Sequence, residues 1–191
     1  MTVARLRHRD RLAAPWKNGG GLTHEIAAWP AGAALTDFGW RLSLATVAEA
    51  GPFSAFPGVD RVLTVVDGRL NLAMDGASAH LLTTHSEPFT FSWEASVQAA
   101  APDGPATDVN VMTRRDRVAA TVERRTGPGE INLAVARWVA IVACSPGAIV
   151  LDGQSERLDR FDALVIERGP EPHRLILPAE THIILAYLTI L

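Results

Sequence analysis

The stretch Gly51 to Gly76, GPFSAFPGVDRVLTVVDGRLNLAMDG, restricts the fold more than any other part of the chain. Val62 to Val66 is β-branched and apolar, Asp67-Gly68 follows, and Arg69 to Met74 alternates Leu70, Leu72 and Met74 with Arg69, Asn71 and Ala73. Two such runs about an Asp-Gly pair predict a β-hairpin on a tight primed turn, because Gly takes positive φ without a Cβ clash. A second pair, Asp75-Gly76, closes the return strand. The preceding segment, Gly51 to Gly58, holds two Pro and two Gly that forbid regular structure and two Phe that need burial, so it must lie over a core. It leads through Asp60 into Arg61, which shares a strand face with Leu63 and Val65.

Elsewhere the pattern is also β. No window of 11 to 18 residues sustains helical apolar spacing. Leu22 to Trp29, Trp40 to Val47, His80 to Leu82, Pro88 to Trp93 and Asp108 to Met112 read as strands in the first half, with Ala95 to Pro105 a loop or short strand. Thr2 to Arg11 reads as an opening edge strand guarded by arginines. Thr113 to Gly129 is the most polar part of the chain and predicts a division near Val118. Beyond it, Ile131 to Cys144, Ala148 to Leu151, Arg157 to Ile166, Leu175 to Leu177 and Ile183 to Leu191 repeat the β theme, with Asp152-Gly153 as a further turn. The expected domains are 1–117 and 118–191; one long sandwich is the alternative.

Composition narrows the function. A net charge of -3 provides no field for nucleic acid or anionic membrane, and neither is an expected partner. Cys144 is the sole cysteine, which excludes an intrachain disulfide, and its apolar run predicts an inert buried thiol. MTVARLRHRDRL lacks the apolar core of a signal peptide, and the longest apolar run, HIILAYLTIL, is half a membrane span, so a cytoplasmic location is expected.

Six histidines, His8, His24, His80, His85, His173 and His182, form no recognisable ligand pair, and neither metal nor other cofactor is expected. No nucleotide-binding or nucleophile-elbow motif occurs. Arg61 is the leading candidate: a guanidinium presents paired donors that match a carboxylate and is costly to bury without an anion, the structural alternative being a pair with Asp60 or Asp67. Lys17 and Asn18 precede three glycines whose amides could join an anion site. Glu25 and Arg41 lie on neighbouring polar faces and are expected to pair across the sheet. Asn110, between two valines, needs a partner if it faces inward, and Trp16 could wall a pocket.

An apolar strand, a Gly/Pro loop and a tight turn in this order resemble the first half of a cupin barrel, without the histidines that metal-binding cupins carry before the turn. WKNGGGLTHEIAAWP from Trp16, FGWRLSLATVAEAGPFSAFPGVDRVLTVVDG from Phe38 and DVNVMTRR from Asp108 together resemble the HutD/Ves family. The resemblance implies an all-β bicupin of two stacked RmlC-like jelly-roll barrels. It implies a regulatory or limiting role in histidine utilisation, which joins the reading, from Arg61, Lys17 and the missing histidines, of a metal-free carboxylate-binding protein. The expected ligand is a small acidic metabolite such as urocanate or formylglutamate, and a homodimer is an open expectation. The alternative is a metal-independent isomerase or hydrolase with His24 or Glu25 as base. One departure stands out: Phe91-Ser92-Trp93-Glu94 occupies the place of a Phe-x-Gly-Asp turn.

Overall fold

The computed structural model describes residues 2–92, 94–133, 136–169 and 171–191. Nineteen strands are found among them, together with one 3-10 turn, His8–Asp10. In chain order they begin with β1 (Thr2–Leu6), β2 (Ala13–Pro15), β3 (Gly21–Trp29), β4 (Trp40–Val47), β5 (Gly51–Pro52) and β6 (Val59–Asp67). There follow β7 (Arg69–Met74), β8 (His80–Thr83), β9 (Phe89–Ser92), β10 (Val97–Ala100), β11 (Ala106–Arg114) and β12 (Val118–Thr126). The last are β13 (Gly129–Asn132), β14 (Trp138–Ala143), β15 (Gly147–Leu151), β16 (Gln154–Leu158), β17 (Ala163–Glu167), β18 (Arg174–Leu177) and β19 (His182–Ile190).

The chain divides into two compact units, one of residues 12–118 and one of residues 1–11 with 119–191. The first unit has a six-stranded sheet, β2-β3-β4-β11-β6-β9, and a four-stranded sheet, β5-β10-β7-β8. Leu63 and Val65 of the larger sheet meet Leu70, Leu72, Leu82, Val97 and Ala99 of the smaller in one apolar cluster. The other unit repeats the plan with β1-β17-β14-β19-β12 and β13-β18-β15-β16. Its core gathers Val139, Ile141, Leu164, Ile166, Ile183 and Leu185 from one sheet and Ile149, Leu151, Leu158, Leu175 and Leu177 from the other. The opening strand therefore does not belong with the residues up to 117. β1 pairs with β17, from Thr2 opposite Glu167 to Leu6 opposite Ala163, as an edge strand.

A second expectation is also corrected. β6 and β7 do not form a hairpin: β6 lies between β11 and β9, whereas β7 lies between β10 and β8 of the other sheet. Only Gly68 separates them, at φ +69°, whereas a two-residue primed turn needs two residues between its strands. Gly68 is a corner through which the chain changes sheet, packed so closely that an added Cβ would lie 2.9 Å from the Pro105 carbonyl. The other two Asp-Gly pairs behave as primed turns. Asp75 and Gly76 have φ of 49° and 74° under an Ala77 N–H to Met74 carbonyl bond of 2.8 Å. Asp152 and Gly153, at 50° and 80°, join β15 to β16 with Leu151 opposite Gln154.

The polar segment around Val118 contains a strand the sequence pattern concealed. β12 is a sheet edge in which only Val118 is buried, so its side chains alternate weakly between apolar and polar.

Candidate functional site

Strand alternation decides what reaches the interior of the 12–118 unit. Arg61, Leu63 and Val65 share one face of β6, opposed in register by Met112, Asn110 and Asp108 of β11. The same β11 residues face Arg41, Ser43 and Ala45 of β4. Toward one end of the sheets this interior is filled by Leu63 and Val65; toward the other it opens into a mostly apolar cavity of about 700 Å³ that a few charged and polar side chains enter. Trp16, Lys17, Asn18, Arg41, Arg61 and Asn110 all line that cavity. Thr23, Ser43, Ser54, Phe53, Phe56 and Met112 complete much of the wall.

Arg61 is 4% exposed and enters a chain of polar contacts. Its Nε donates to Asn110 Oδ1, and Asn110 Nδ2 donates to Asp108 Oδ1, both through short contacts. Arg61 Nη2 also stands 3.7 Å from Asp108 Oδ1. The guanidinium carbon lies 4.3 Å from the Phe53 ring centroid and 5.6 Å from that of Phe91, within cation–π range. The counter-charge to Arg61 is thus Asp108, not Asp60 or Asp67. Asp60 instead binds Arg115 at 2.7 Å.

Burial sets the electrostatics of this pair. It pushes the Asp108 carboxyl up, to about 7, against the opposing influence of Arg61 and the Asn110 hydrogen bond. It pulls the Arg61 guanidinium down, to about 10, with Asp108 opposing the shift and Arg41 adding to it. Both charges pay for removal from water, as expected of a dry ion pair.

Glu25 and Arg41 pair as expected, Arg41 Nε donating to Glu25 Oε2 at 2.7 Å. A β-bulge between Glu25 and Ala27 lets β3 rejoin its register with β4. Glu25 and His24 do not line the cavity, and among the described residues no carboxylate does. Trp16 Nε1 donates to Thr23 Oγ1 at 2.8 Å, and its ring meets Phe53 edge to face at 5.8 Å.

The triple glycine has a different use from the anion nest anticipated. Gly19 N–H goes to the Trp16 carbonyl at 3.0 Å and Gly20 N–H to Asn18 Oδ1 at 3.1 Å, so these amides close the turn themselves. Gly21 allows close approach, since a Cβ there would sit 2.4 Å from the Thr46 carbonyl. The segment's contribution to the cavity wall comes from Trp16, Lys17 and Asn18.

A second depression, of about 570 Å³, is lined by Thr36, Gly58 and residues 114–117. Two of its arginines are engaged: Arg114 Nη1 donates to the Pro57 carbonyl at 3.0 Å, and Arg115 pairs with Asp60 and Glu94 at 2.7 and 2.9 Å. Glu94, from the departing Phe91-Ser92-Trp93-Glu94 segment, also accepts from Gly58 N–H at 2.8 Å. Arg115, then Ser92 and Gly58, hold its carboxyl far below the usual range. Trp93 lies outside the described residues. That segment therefore clamps the Gly58 loop over the first unit.

Asp108 and Ser43 were not picked out by sequence reasoning. The available signal was parity, since Asp108 alternates with Asn110 and Met112. Among the described residues no group of three or more His, Cys, Asp or Glu could hold a metal ion. No described helix is long and apolar enough to cross a membrane.

Comparison with known proteins fits this geometry. A family model described as HutD matches residues 8–185. The chain belongs to the HutD family. It is 33% identical over 168 residues to an uncharacterized 21.2 kDa protein in the hutC 3' region of Pseudomonas putida, the match covering 87% of each chain. It is 44% identical to the protein Ves of Citrobacter koseri over 110 residues, 56% of each, so the match spans about half of that relative's length. The HutD of Pseudomonas fluorescens SBW25, in its formate-condition structure, superposes with a TM-score of 0.86 at 30% identity over the full length of both. A conserved protein of unknown function from Pseudomonas aeruginosa PAO1 gives 0.88 at 33%, covering 99% of this chain and all of that one. More distant neighbours, YlbA of E. coli at 0.70 and 10% and the bacterial pirin YhhW of E. coli at 0.67 and 10%, share the fold alone. This HutD-family chain has the all-β cupin fold.

Proposed function

We propose that this HutD-family chain binds a small carboxylate in the cavity of the 12–118 unit and serves as a regulatory or limiting component of histidine utilisation. One observation carries the reading. Lys17, Arg41 and Arg61 line a largely apolar cavity that, among the described residues, no carboxylate lines. Positive charge behind aromatic walls favours a small anion with an apolar or unsaturated body, because a charge-assisted contact strengthens where water is excluded. The pathway assignment rests on family membership and on the hutC-region relative. An enzyme of this fold would need a base at the cavity; His24 is not among the lining residues, and Glu25, also outside the lining, is tied to Arg41 at 2.7 Å.

The test is a thermal-shift screen with formate, urocanate, N-formylglutamate and small dicarboxylates, followed by calorimetric titration of wild type, Arg61→Ala and Arg61→Lys. A charge-assisted contact of about 1.5–3 kcal/mol predicts a roughly 10- to 150-fold loss in the alanine variant and partial recovery in the lysine variant. Equal affinities in all three proteins, or no shift with any acid, would reject the reading.

A further inference from the structure

Arg61 reaches the cavity with a counter-ion already behind it. Asp108 is 1% exposed and does not line the cavity, so an incoming acid meets the guanidinium from the open side while the aspartate holds it from the closed side. The pairing is incomplete. Asp108 Oδ1 takes the Asn110 amide and stands 3.7 Å from Arg61 Nη2, while Asp108 Oδ2 is buried without a hydrogen-bond partner. An ionised carboxylate in that position wastes half its acceptor capacity. Once a second carboxylate sits on the same guanidinium, it and the enclosed Asp108 compete for that charge. Arg41 is already held by Glu25, and Lys17, at the cavity wall, is out of Asp108's pairing, so the cheaper arrangement protonates one of the two acids. The ligand, open to the cavity, keeps its charge on Arg61; the enclosed Asp108 is the group to be neutralised.

We propose that a bound carboxylate and Asp108 compete for Arg61, so that the site takes up one proton from solvent, on Asp108, for each acid it binds. This inference rests on the carboxylate-binding reading above and adds its regulation: affinity for acids follows pH.

The surroundings leave Asp108 as the group that responds. Asp108 lies opposite Val65 of β6 and Ala45 of β4; Arg61 reaches it from further along β6, to 3.7 Å, and Arg41, opposite Met112 on β4, is held by Glu25 of β3. Lys17 stands at the cavity wall, and Asp67 is at the exposed end of β6. The opposing sheet contributes Leu70, Leu72, Val97 and Ala99 to the shared cluster, all apolar. Burial already brings the Asp108 carboxyl to about 7 in the free protein. A ligand raises it further, so affinity falls by up to about tenfold per pH unit above that value and levels off below it.

The experiment titrates the full chain with formate and with N-formylglutamate, both ionised throughout pH 6 to 9, in pairs of buffers with different ionisation heats. Wild type should take up close to one proton per site at pH 8, and Asp108→Asn should take up none, with affinity independent of pH. In parallel, the 13C shift of the Asp108 carboxyl in the ligand-free protein should titrate near neutrality. Arg61-dependent binding without proton uptake, or with the same uptake in Asp108→Asn, overturns the proposal. So does an Asp108 carboxyl that stays ionised throughout pH 6 to 9 with the acid bound. Binding of neither probe, or binding unchanged in Arg61→Ala, overturns the carboxylate-binding reading instead.

Discussion

The Arg61–Asp108 pair allows a stability prediction that needs no ligand. Arg61→Met keeps most of the stem packed on Phe53 and removes the charge, leaving Asp108 enclosed at 1% exposure. Breaking a buried pair by removing one partner costs about 3–5 kcal/mol when the other charge must stay. Protonation is the escape route, and its cost depends on pH. The Asp108 carboxyl is raised in the folded state, so its contribution to stability is complete below the unfolded value near 4 and is lost as pH rises through about 7. Without Arg61 the folded value climbs further, and the loss continues where wild type has already levelled. The gap between the two proteins should therefore widen by about 1.4 kcal/mol per pH unit above 7, or about 2 kcal/mol by pH 8.5. Urea melts at pH 6, 7 and 8.5 would measure it, and the double variant Arg61→Met/Asp108→Asn should restore most of the loss and flatten the pH dependence. A deficit under about 1 kcal/mol that is the same at every pH would refute the argument, because Arg61 would then not be the counter-ion of Asp108.

Gly21→Ala should destabilise by about 2 kcal/mol or more in the same melts, since the new Cβ meets the Thr46 carbonyl at 2.4 Å; a neutral result would mean that β3 shifts freely. Glu25→Gln frees the Arg41 guanidinium from its partner and should tighten formate or N-formylglutamate binding roughly two- to fivefold, the worth of a partly exposed pair, and weaker binding would contradict it. Lys17 is the sole lysine of the sequence, so acylation should modify one side chain, visible by peptide mass spectrometry; a bound acid should protect it, and equal labelling with and without ligand would place the acid elsewhere.

The sequence made the site more legible than the path of the chain through it. Strand parity placed Arg61 beside Leu63 and Val65, and Asn110 between two valines, so Arg61 stood out as a costly charge on an apolar face and Asn110 as a group that needs a partner if it faces inward. Asp108 escaped because an acid at the start of an apolar run reads equally well as a turn residue, and only the register of β11 against β4 and β6 puts it behind the arginine. Asp67-Gly68 misled because local turn chemistry is shared by hairpins and sheet corners; what separates them is whether the flanking strands pair, a matter of contacts outside the segment. The edge strand β12 was hidden for a related reason, since a strand exposed on one side and at its rim needs little apolar alternation.

The pairing of β1 with β17 also has consequences for how the molecule is made. Arg5 and Glu156, which bond across this region, are 151 positions apart, so β1 leaves the ribosome long before its partner and stays unpaired until residues 163–167 have emerged. Residues 12–118 hold both of their sheets within one continuous segment and can close while synthesis continues. Long-range pairing of this kind is slow, and a fragment beginning after residue 118 would present β17 with a bare apolar edge that invites association with other chains.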